Sequence, residues 1–404
     1  MPQRVAAPGD VDALAAELRE SDGRGEAVVL FGGGTLQRLG AAPSRFDVAV
    51  DLRRVAGIVT YEHHDLTISV RAGTTLGALA RALARHGQFV PLDAPFPARG
   101  TVGGALAGGW LGPRRGAYGR PRDLVIGSTA VLADGTVAKA GGMVVKNVSG
   151  YDMSKLYAGS LGTLAALAIV NFKTLPIPQA QRAAIAALPD GTRERAIAHV
   201  RGLEMEPTVA LAVRGFHEVG GTDGSDGRLL LVYEGSAATV DRATRELRSA
   251  LGAAGVPATT IVDRGAGDAL QRAIDACVTP LAERSATYRW LGLPSDAEAR
   301  CAGVGRVARR HDLTCETICD VRNGDIIARV SAPDRDAFAA RIVLLDEAFH
   351  DAYGRIVLLS SPDAVRDRLD AWGPPPASLA TMRALKERFD PRGTLAPGRF
   401  VGGI

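Results

Sequence analysis

Three glycine clusters in the first 165 residues hold the residue types best placed for chemistry: Gly32-Gly33-Gly34-Thr35, Gly100-Thr101-Val102-Gly103-Gly104 and Gly159-Ser160-Leu161-Gly162-Thr163. Loops without Cβ atoms let backbone N–H groups approach an anion closely. Each cluster lies beside an apolar, strand-like run, the arrangement expected where a long phosphate-bearing cofactor is held by backbone at several points. For any single cluster, tight-turn geometry is an equally good account. Two standard nucleotide fingerprints are absent. A dinucleotide turn counted from Gly32 needs glycine at position 37, where Gln37 stands, and a Walker loop ending at Lys146 needs glycine where Val145 stands.

Other reactive side chains form no comparable pattern. The four cysteines, Cys277, Cys301, Cys315 and Cys319, lie in the second half. Cys315 and Cys319 have no histidine or further cysteine at ligand spacing, so they read as buried reduced thiols and no metal site is expected. His217-Glu218 and His311-Asp312 are isolated pairs, and His63-His64-Asp65 reads as a turn before a strand. Only five of the 48 basic residues are lysine, and four of them fall between Lys139 and Lys173.

The elements that must position the clusters follow from periodicity and capping residues. Asp10 can cap a helix with Val11, Leu14 and Leu18 on its apolar face, and Ala27 to Phe31 then reads as a strand delivering Gly32. Further strands are expected at Val48–Leu52 and Leu66–Val70. A helix starts at Thr74 or Thr75 and stops at Gly87, and Val90-Pro91 follows as a short extended piece. Leu124–Leu132, the Asp134-Gly135 turn and Val137 predict a hairpin, and Leu164–Phe172 another strand. Strands and helices mix without strict alternation, so this half is α+β. After the linker Ile177-Pro178-Gln179, strand-like runs at Ala183–Leu188, Val209–Val213, Leu229–Tyr233, Ile326–Val330 and Ile356–Leu359 alternate with helical stretches at Asp241–Leu251 and Asp334–Tyr353. They predict a second α+β domain, a sheet covered by helices. Pro374-Pro375-Pro376 breaks the chain before a helix over Ser378–Phe389 and an Asp390-Pro391-Arg392-Gly393 turn. The resulting division is residues 1–176, 177–373 and 374–404, the last packing back on the first.

At 404 residues the chain is long enough for two or three domains. A net charge of +4 on 48 basic and 44 acidic residues, with no basic run, reads as a solvated surface and gives no case for nucleic acid. No signal-peptide pattern and no apolar run near 18 residues is present, so the expectation is a soluble cytoplasmic protein with membrane contact only through a partner.

Taken together, the segments resemble the vanillyl-alcohol-oxidase or PCMH-type FAD-binding superfamily. The motifs are Val28-Val29-Leu30-Phe31-Gly32-Gly33-Gly34-Thr35, then Gly100-Thr101-Val102-Gly103-Gly104-Ala105 with Gly119, Asp123 and Ala133-Asp134-Gly135. The most specific stretch is Val145-Lys146-Asn147-Val148-Ser149-Gly150-Tyr151-Asp152 followed by Lys155-Leu156 and the third glycine cluster. With Phe389-Asp390-Pro391 and Pro397-Gly398-Arg399, it is similar to the FAD-binding subunits of bacterial glycolate oxidases. The resemblance covers residues 10–176 and 383–400.

The resemblance implies a two-subdomain FAD-binding domain followed by a cap-like domain. FAD's pyrophosphate would rest on the N–H groups of Gly32, Gly33, Gly34, Thr35 and Leu36, and be approached again by Gly100, Thr101, Val102, Gly103, Gly104 and Gly162, with Lys146 as the nearest cation. Beside Gly150, Tyr151 and Asp152 would meet the flavin or its ribityl chain, or else form a buried structural Tyr–Asp pair. Thr35 and Leu36 stand where some relatives carry a flavin-linking histidine, so non-covalent FAD is expected. The resemblance further implies an FAD-dependent oxidoreductase subunit of a 2-hydroxy-acid dehydrogenase complex. It would transfer electrons with a homologous FAD-containing catalytic subunit and an iron–sulfur subunit, the complex lying in the cytoplasm or at the inner membrane face. A stand-alone oxidoreductase acting on glycolate or D-lactate, and a non-catalytic structural subunit, are the alternatives. Arg289, Arg322 and Arg329 are candidate carboxylate clamps, and no catalytic base is assigned.

Overall fold

The computed structural model describes residues 2–144, 150–189, 191–219, 227–256, 260–262 and 265–404. Its contacts divide into two units. The first comprises residues 1–115, 119–177 and 375–404; the second comprises 116–118 and 178–374.

In the first unit, β1 (Arg4–Ala6), β2 (Val28–Phe31) and β3 (Val48–Asp51) form a parallel three-stranded sheet with β3 central. Helix α1 (Val11–Gly23) begins where the Asp10 carboxylate accepts the Ala13 N–H at 2.8 Å, and it buries Leu14 and Leu18 in a core shared with Val28, Val50, Val131 and Ala166. Next come β4 (Ile58–Glu62) and β5 (Thr67–Arg71). Helix α2 (Leu76–Ala84), capped by Thr75, leads to β6 (Gln88–Phe89), and Thr101 caps the short helix α3 (Val102–Ala107). Strands β7 (Val125–Val131), β8 (Val137–Gly141) and β9 (Ala166–Lys173) complete an antiparallel sheet of order β4-β5-β9-β7-β8, and β10 (Leu175–Pro176) pairs with β6. The extended piece expected at Val90-Pro91 therefore lies two residues earlier. Leu124 ends the turn of helix Pro121–Leu124 and is not the start of β7. Strand β4 escapes the sequence pattern because it is an edge strand with four of its five residues exposed, so no apolar alternation marks it.

The C-terminal segment returns to this unit. Val28 of β2 donates to the Thr394 carbonyl at 2.7 Å, and the Ala396 N–H donates back to the Val28 carbonyl at 2.8 Å. Lys386, on helix Leu379–Phe389, sits on this seam. Its Nζ donates to the fully buried Asp390 carboxylate at 2.5 Å and to the carbonyls of Thr163 and Leu395, each at 2.8 Å. Asp390 in turn accepts the N–H groups of Thr394 and Leu395 at 2.8 and 2.7 Å. Burial pushes the Lys386 pKa down, while Asp390 pulls it back up.

The second unit is built on β11 (Ala180–Ala187), β12 (Val209–Arg214), β13 (Gly227–Gly235), β14 (Thr260–Val262), β15 (Ser285–Trp290), β16 (Thr314–Asp320), β17 (Ile326–Ser331) and β18 (Val357–Ser360). They form one antiparallel sheet of order β14-β11-β13-β12-β16-β17-β15-β18. Strands β15 and β16 were not expected, because their Ser, Thr, Arg, Glu and Asp residues break the apolar signal. Arg289 on β15 is buried through pairing with Asp325, a partner that only the fold supplies. Residues 116–118 join this unit although they precede the linker; Tyr118 donates its hydroxyl to Glu234 at 2.8 Å. Among the described residues no helix is long and apolar enough to cross a membrane.

Replacing Lys386 by Met would leave the Asp390 carboxylate buried without its cation. Loss of one partner of such a pair costs about 3–5 kcal/mol. Chemical denaturation of Lys386→Met should show a loss of this order, and a change below ~1 kcal/mol would rule out the bracing role.

Candidate functional site

The three glycine clusters meet at one cleft. Its wall includes Gly32, Gly33, Gly34, Thr35 and Leu36 from the end of β2, Thr101, Gly103 and Gly104 from the start of α3, and Leu161 and Gly162 before β9. With its open mouth the cleft encloses ≈ 680 Å³, within the ~300–1,000 Å³ usual for cofactor pockets.

The glycines serve two different purposes. A Cβ on Gly33 would overlap the Arg99 carbonyl, and one on Gly32 would overlap the Thr101 hydroxyl, so the first loop lies directly on the backbone and the capping threonine of the second. A Cβ on Gly103 would come within 2.8 Å of the Ala72 methyl. These glycines are required for packing. Gly34, by contrast, has open space where a Cβ would stand and a φ of +71°, and a Cβ on Gly104 would meet only its own cap, Thr101 Oγ1, at 3.1 Å. Those two positions keep the wall of the cleft clear.

The donors are equally divided. No backbone N–H of Gly32, Gly33, Gly34, Thr35 or Leu36 donates to another described residue. Five successive donors at the end of a strand form an anion cradle of the kind that receives phosphates. In the second loop the N–H groups of Val102 and Gly103 donate to Thr74 and Ala72, and Gly104 donates to Thr101 Oγ1 at 3.2 Å. This segment supplies surface to the cleft, while the first supplies hydrogen bonds. The third is tied to α3, since Gly159 donates to the Leu106 carbonyl at 2.8 Å and Leu161 to the Ala107 carbonyl at 2.7 Å.

Several expected site residues lie elsewhere. Gly100 does not line the cleft, and Val102 is fully buried in the core. Tyr151 is 91% exposed, which excludes a buried Tyr–Asp pair; Asp152 instead caps helix Met153–Tyr157 and pairs with Lys155 at 3.0 Å. Gly150 precedes them with φ +79° and lies off the cleft wall. Lys146 lies outside the described residues. Conversely, Gln37, Gly108 and Arg399 line the cleft without having been singled out as site residues. Gly108 had a local signal, the Gly108-Gly109 pair ending a helix, but one arginine among so many basic residues had none.

The second unit holds no free carboxylate clamp among the three arginines considered. Arg289 pairs with Asp325, and Arg329 with Glu316 at 2.5 Å and Glu218 at 2.9 Å. Arg322 reaches Glu206 at 3.1 Å and the Pro207 carbonyl. Cys319 faces Cys301 rather than Cys315. With Glu298 they form the one group of potential metal ligands that converges among the described residues. Arg193 already holds Glu298 at 2.5 Å, and all four cysteines are free.

Comparison with known proteins agrees with the cleft. Residues 2–141 match the family model of an FAD binding domain. The match is confined to the first third of the chain, which is similar to FAD binding domains. Over 159 residues the chain is 36% identical to glycolate oxidase subunit GlcE of Escherichia coli, covering 39% of this chain and 45% of that protein. It is 25% identical to glycolate oxidase subunit GlcD of Bacillus subtilis over 99% of this chain and 89% of that protein. A D-lactate dehydrogenase of Archaeoglobus fulgidus is 32% identical over 48% of this chain and 43% of its own length, so the chain spans less than half of two of these three relatives. The fold is that of p-cresol methylhydroxylase, with a TM-score of 0.73 at 16% identity over 98% of this chain and 88% of that one.

The cleft fits FAD through its five-donor cradle and the glycines, Gly34 and Gly104 among them, that keep part of its wall clear. Two substitutions should separate packing from binding. Gly33→Ala should lower the stability of the apoprotein by about 3 kcal/mol, the upper end of overpacking. Gly104→Ala should leave apo stability within about 1 kcal/mol yet weaken FAD binding roughly tenfold, the effect of one lost contact worth ~1.4 kcal/mol. Thermal melts with and without FAD, with a fluorescence titration, read both effects; unchanged FAD affinity in Gly104→Ala would exclude its place in the wall.

Proposed function

We propose that this chain is the FAD-binding subunit of a glycolate-oxidase-like 2-hydroxy-acid dehydrogenase complex. The observation that carries this reading is the convergence of the three glycine loops on one cleft, the first two of them within residues 2–141, which match an FAD binding domain. The N–H groups of Gly32 to Leu36 bind the pyrophosphate without neutralising it chemically, and Gly34, Gly104 and Gly162 leave room for the cofactor's length. Gly150, Tyr151 and Asp152 are kept as candidate contacts although they do not line the cleft, and Lys146, outside the described residues, as a candidate cation. With no histidine in the Gly32–Gln37 loop, the cofactor is held non-covalently. Bound FAD supplies two-electron redox chemistry, the class needed to oxidise a 2-hydroxy acid.

The partner-dependent form is supported by two features. The relatives include two subunits of glycolate oxidases, GlcE and GlcD. In addition, Arg289, Arg322 and Arg329 are all engaged by acidic partners, which leaves a substrate carboxylate without an arginine among them. A homologous FAD subunit would then oxidise the substrate and an iron–sulfur subunit would accept electrons. The stand-alone alternative is favoured by the D-lactate dehydrogenases among the relatives.

Anaerobic mixing with glycolate or D-lactate distinguishes these readings. The purified chain should carry yellow flavin that acid precipitation releases, and substrate should leave that flavin oxidised until partner subunits are added. Full bleaching of the flavin in the isolated chain would overturn the partner-dependent reading, and a colourless protein that takes up no FAD would overturn the flavoprotein assignment.

A further inference from the structure

We propose that a second cavity of the first unit, beside α3, is a binding site for a small monocarboxylate with an apolar body, and that Arg122 receives its carboxylate. The site is separate from the cofactor cleft and does not rest on the FAD reading.

Ala105 and Leu106 of α3 line this cavity, whereas Gly103, Gly104 and Ala107 line the cleft, and no described residue lines both. With its open mouth the cavity encloses ≈ 570 Å³, within the ~300–1,000 Å³ usual for small-molecule sites. Most of its wall is apolar, with Leu111, Pro121, Ala158 and the indole of Trp110 beside the two α3 residues. Trp110 is 4% exposed, and its indole N–H donates to the Asp93 carbonyl at 2.8 Å. The polar atom of that ring is therefore satisfied, and the ring meets the cavity as apolar surface.

The charge on the wall is of one sign. Arg120 and Arg122 line the cavity, and no described acidic residue does. The nearby Asp123 is occupied by Arg120, accepting its backbone N–H at 3.1 Å, its Nε at 3.0 Å and its Nη2 at 3.4 Å. Arg122 Nε comes only to 3.9 Å of the Asp123 carboxylate, beyond hydrogen-bond range. That Nε is buried and has no hydrogen-bond partner among the described residues, while the Arg122 side chain as a whole is 41% exposed. A buried donor without an acceptor is costly, and an incoming ligand oxygen relieves that cost. The side-on fork of a guanidinium matches the two oxygens of a carboxylate, and the apolar remainder of the wall calls for a hydrophobic body behind that group.

The test is calorimetric titration of the purified chain, with and without added FAD, using phenylacetate, acetate and benzyl alcohol on wild type and Arg122→Gln. Phenylacetate should bind wild type at least about tenfold more tightly than acetate, which lacks the apolar body, or benzyl alcohol, which lacks the charge. Arg122→Gln should weaken phenylacetate about tenfold, the effect of one charge-assisted hydrogen bond, and leave benzyl alcohol unchanged. Phenylacetate affinity should be the same with FAD bound. Equal losses of phenylacetate and benzyl alcohol in Arg122→Gln would make Arg122 a structural part of the wall and overturn the carboxylate site. No phenylacetate binding to wild type, or the same affinity in both proteins, would also overturn it. Loss of phenylacetate binding on FAD loading would give the cavity to the cofactor and overturn the proposal while supporting the FAD reading. Phenylacetate binding in a chain that takes up no FAD would do the reverse.

Discussion

Backbone lying on backbone is the constraint that the first unit depends on. Gly33 packs against the Arg99 carbonyl, Gly32 against Thr101, and Gly109 against Gly159, where a Cβ on Gly109 would approach the Gly159 Cα to 2.8 Å. Such contacts tolerate no side chain, so three loops distant in sequence are brought closer together than ordinary residues allow. The same closeness turns their surfaces into one wall. Hydrogen bonds from Gly159 and Leu161 to the carbonyls at the end of α3 then hold the third loop to the second.

This arrangement explains why only one loop presents unengaged backbone donors to the cleft. The α3 loop satisfies its own donors inside the fold, through Thr74, Ala72 and the Thr101 cap, and so provides a stiff, dry surface. The β2 loop has none of its donors engaged by described residues, which is affordable only where solvent or an anion meets them. The returning C-terminal segment braces both sides of the cleft: Lys386 reaches the Thr163 carbonyl beside the third cluster, and Arg399 holds Gln37 beside the first. The returning segment therefore supports the loops on both sides of the cleft.

Elements with a clear apolar period or a cap were legible. Asp10 before Leu14 and Leu18, and Thr75 before Leu76 and Leu79, announce their helices, and β7 and β9 carry apolar runs. The edge strand β4 and the polar strands β15 and β16 were not, because an exposed edge has no inward face and a buried Arg289 is explained only by Asp325 across the sheet. The site was legible in part for the same reason. Glycine clusters are visible one at a time, but whether a glycine such as Gly103 serves packing or one such as Gly104 serves a ligand depends on which neighbour stands 3 Å away. The buried Tyr151–Asp152 pair failed on this point, since Tyr151 is exposed and the Asp152 carboxylate is used as a helix cap.

Taken alone, the sequence determined the chemical capacity of the chain: which loops can adopt left-handed φ, which backbone segments can approach an anion, and, through motifs at Gly32, Gly103, Tyr151 and Gly162, resemblance to an FAD-binding family. These are local properties of residue type and spacing. Only the tertiary structure decided that Thr101 and Gly103 form wall, that Arg329 and Arg289 are already paired, and that Arg399, more than 360 positions beyond Gly32, stands at the same cleft. Charge placement is a long-range property: a guanidinium's partner is set by where the chain returns, and in an arginine-rich sequence no local pattern encodes that return.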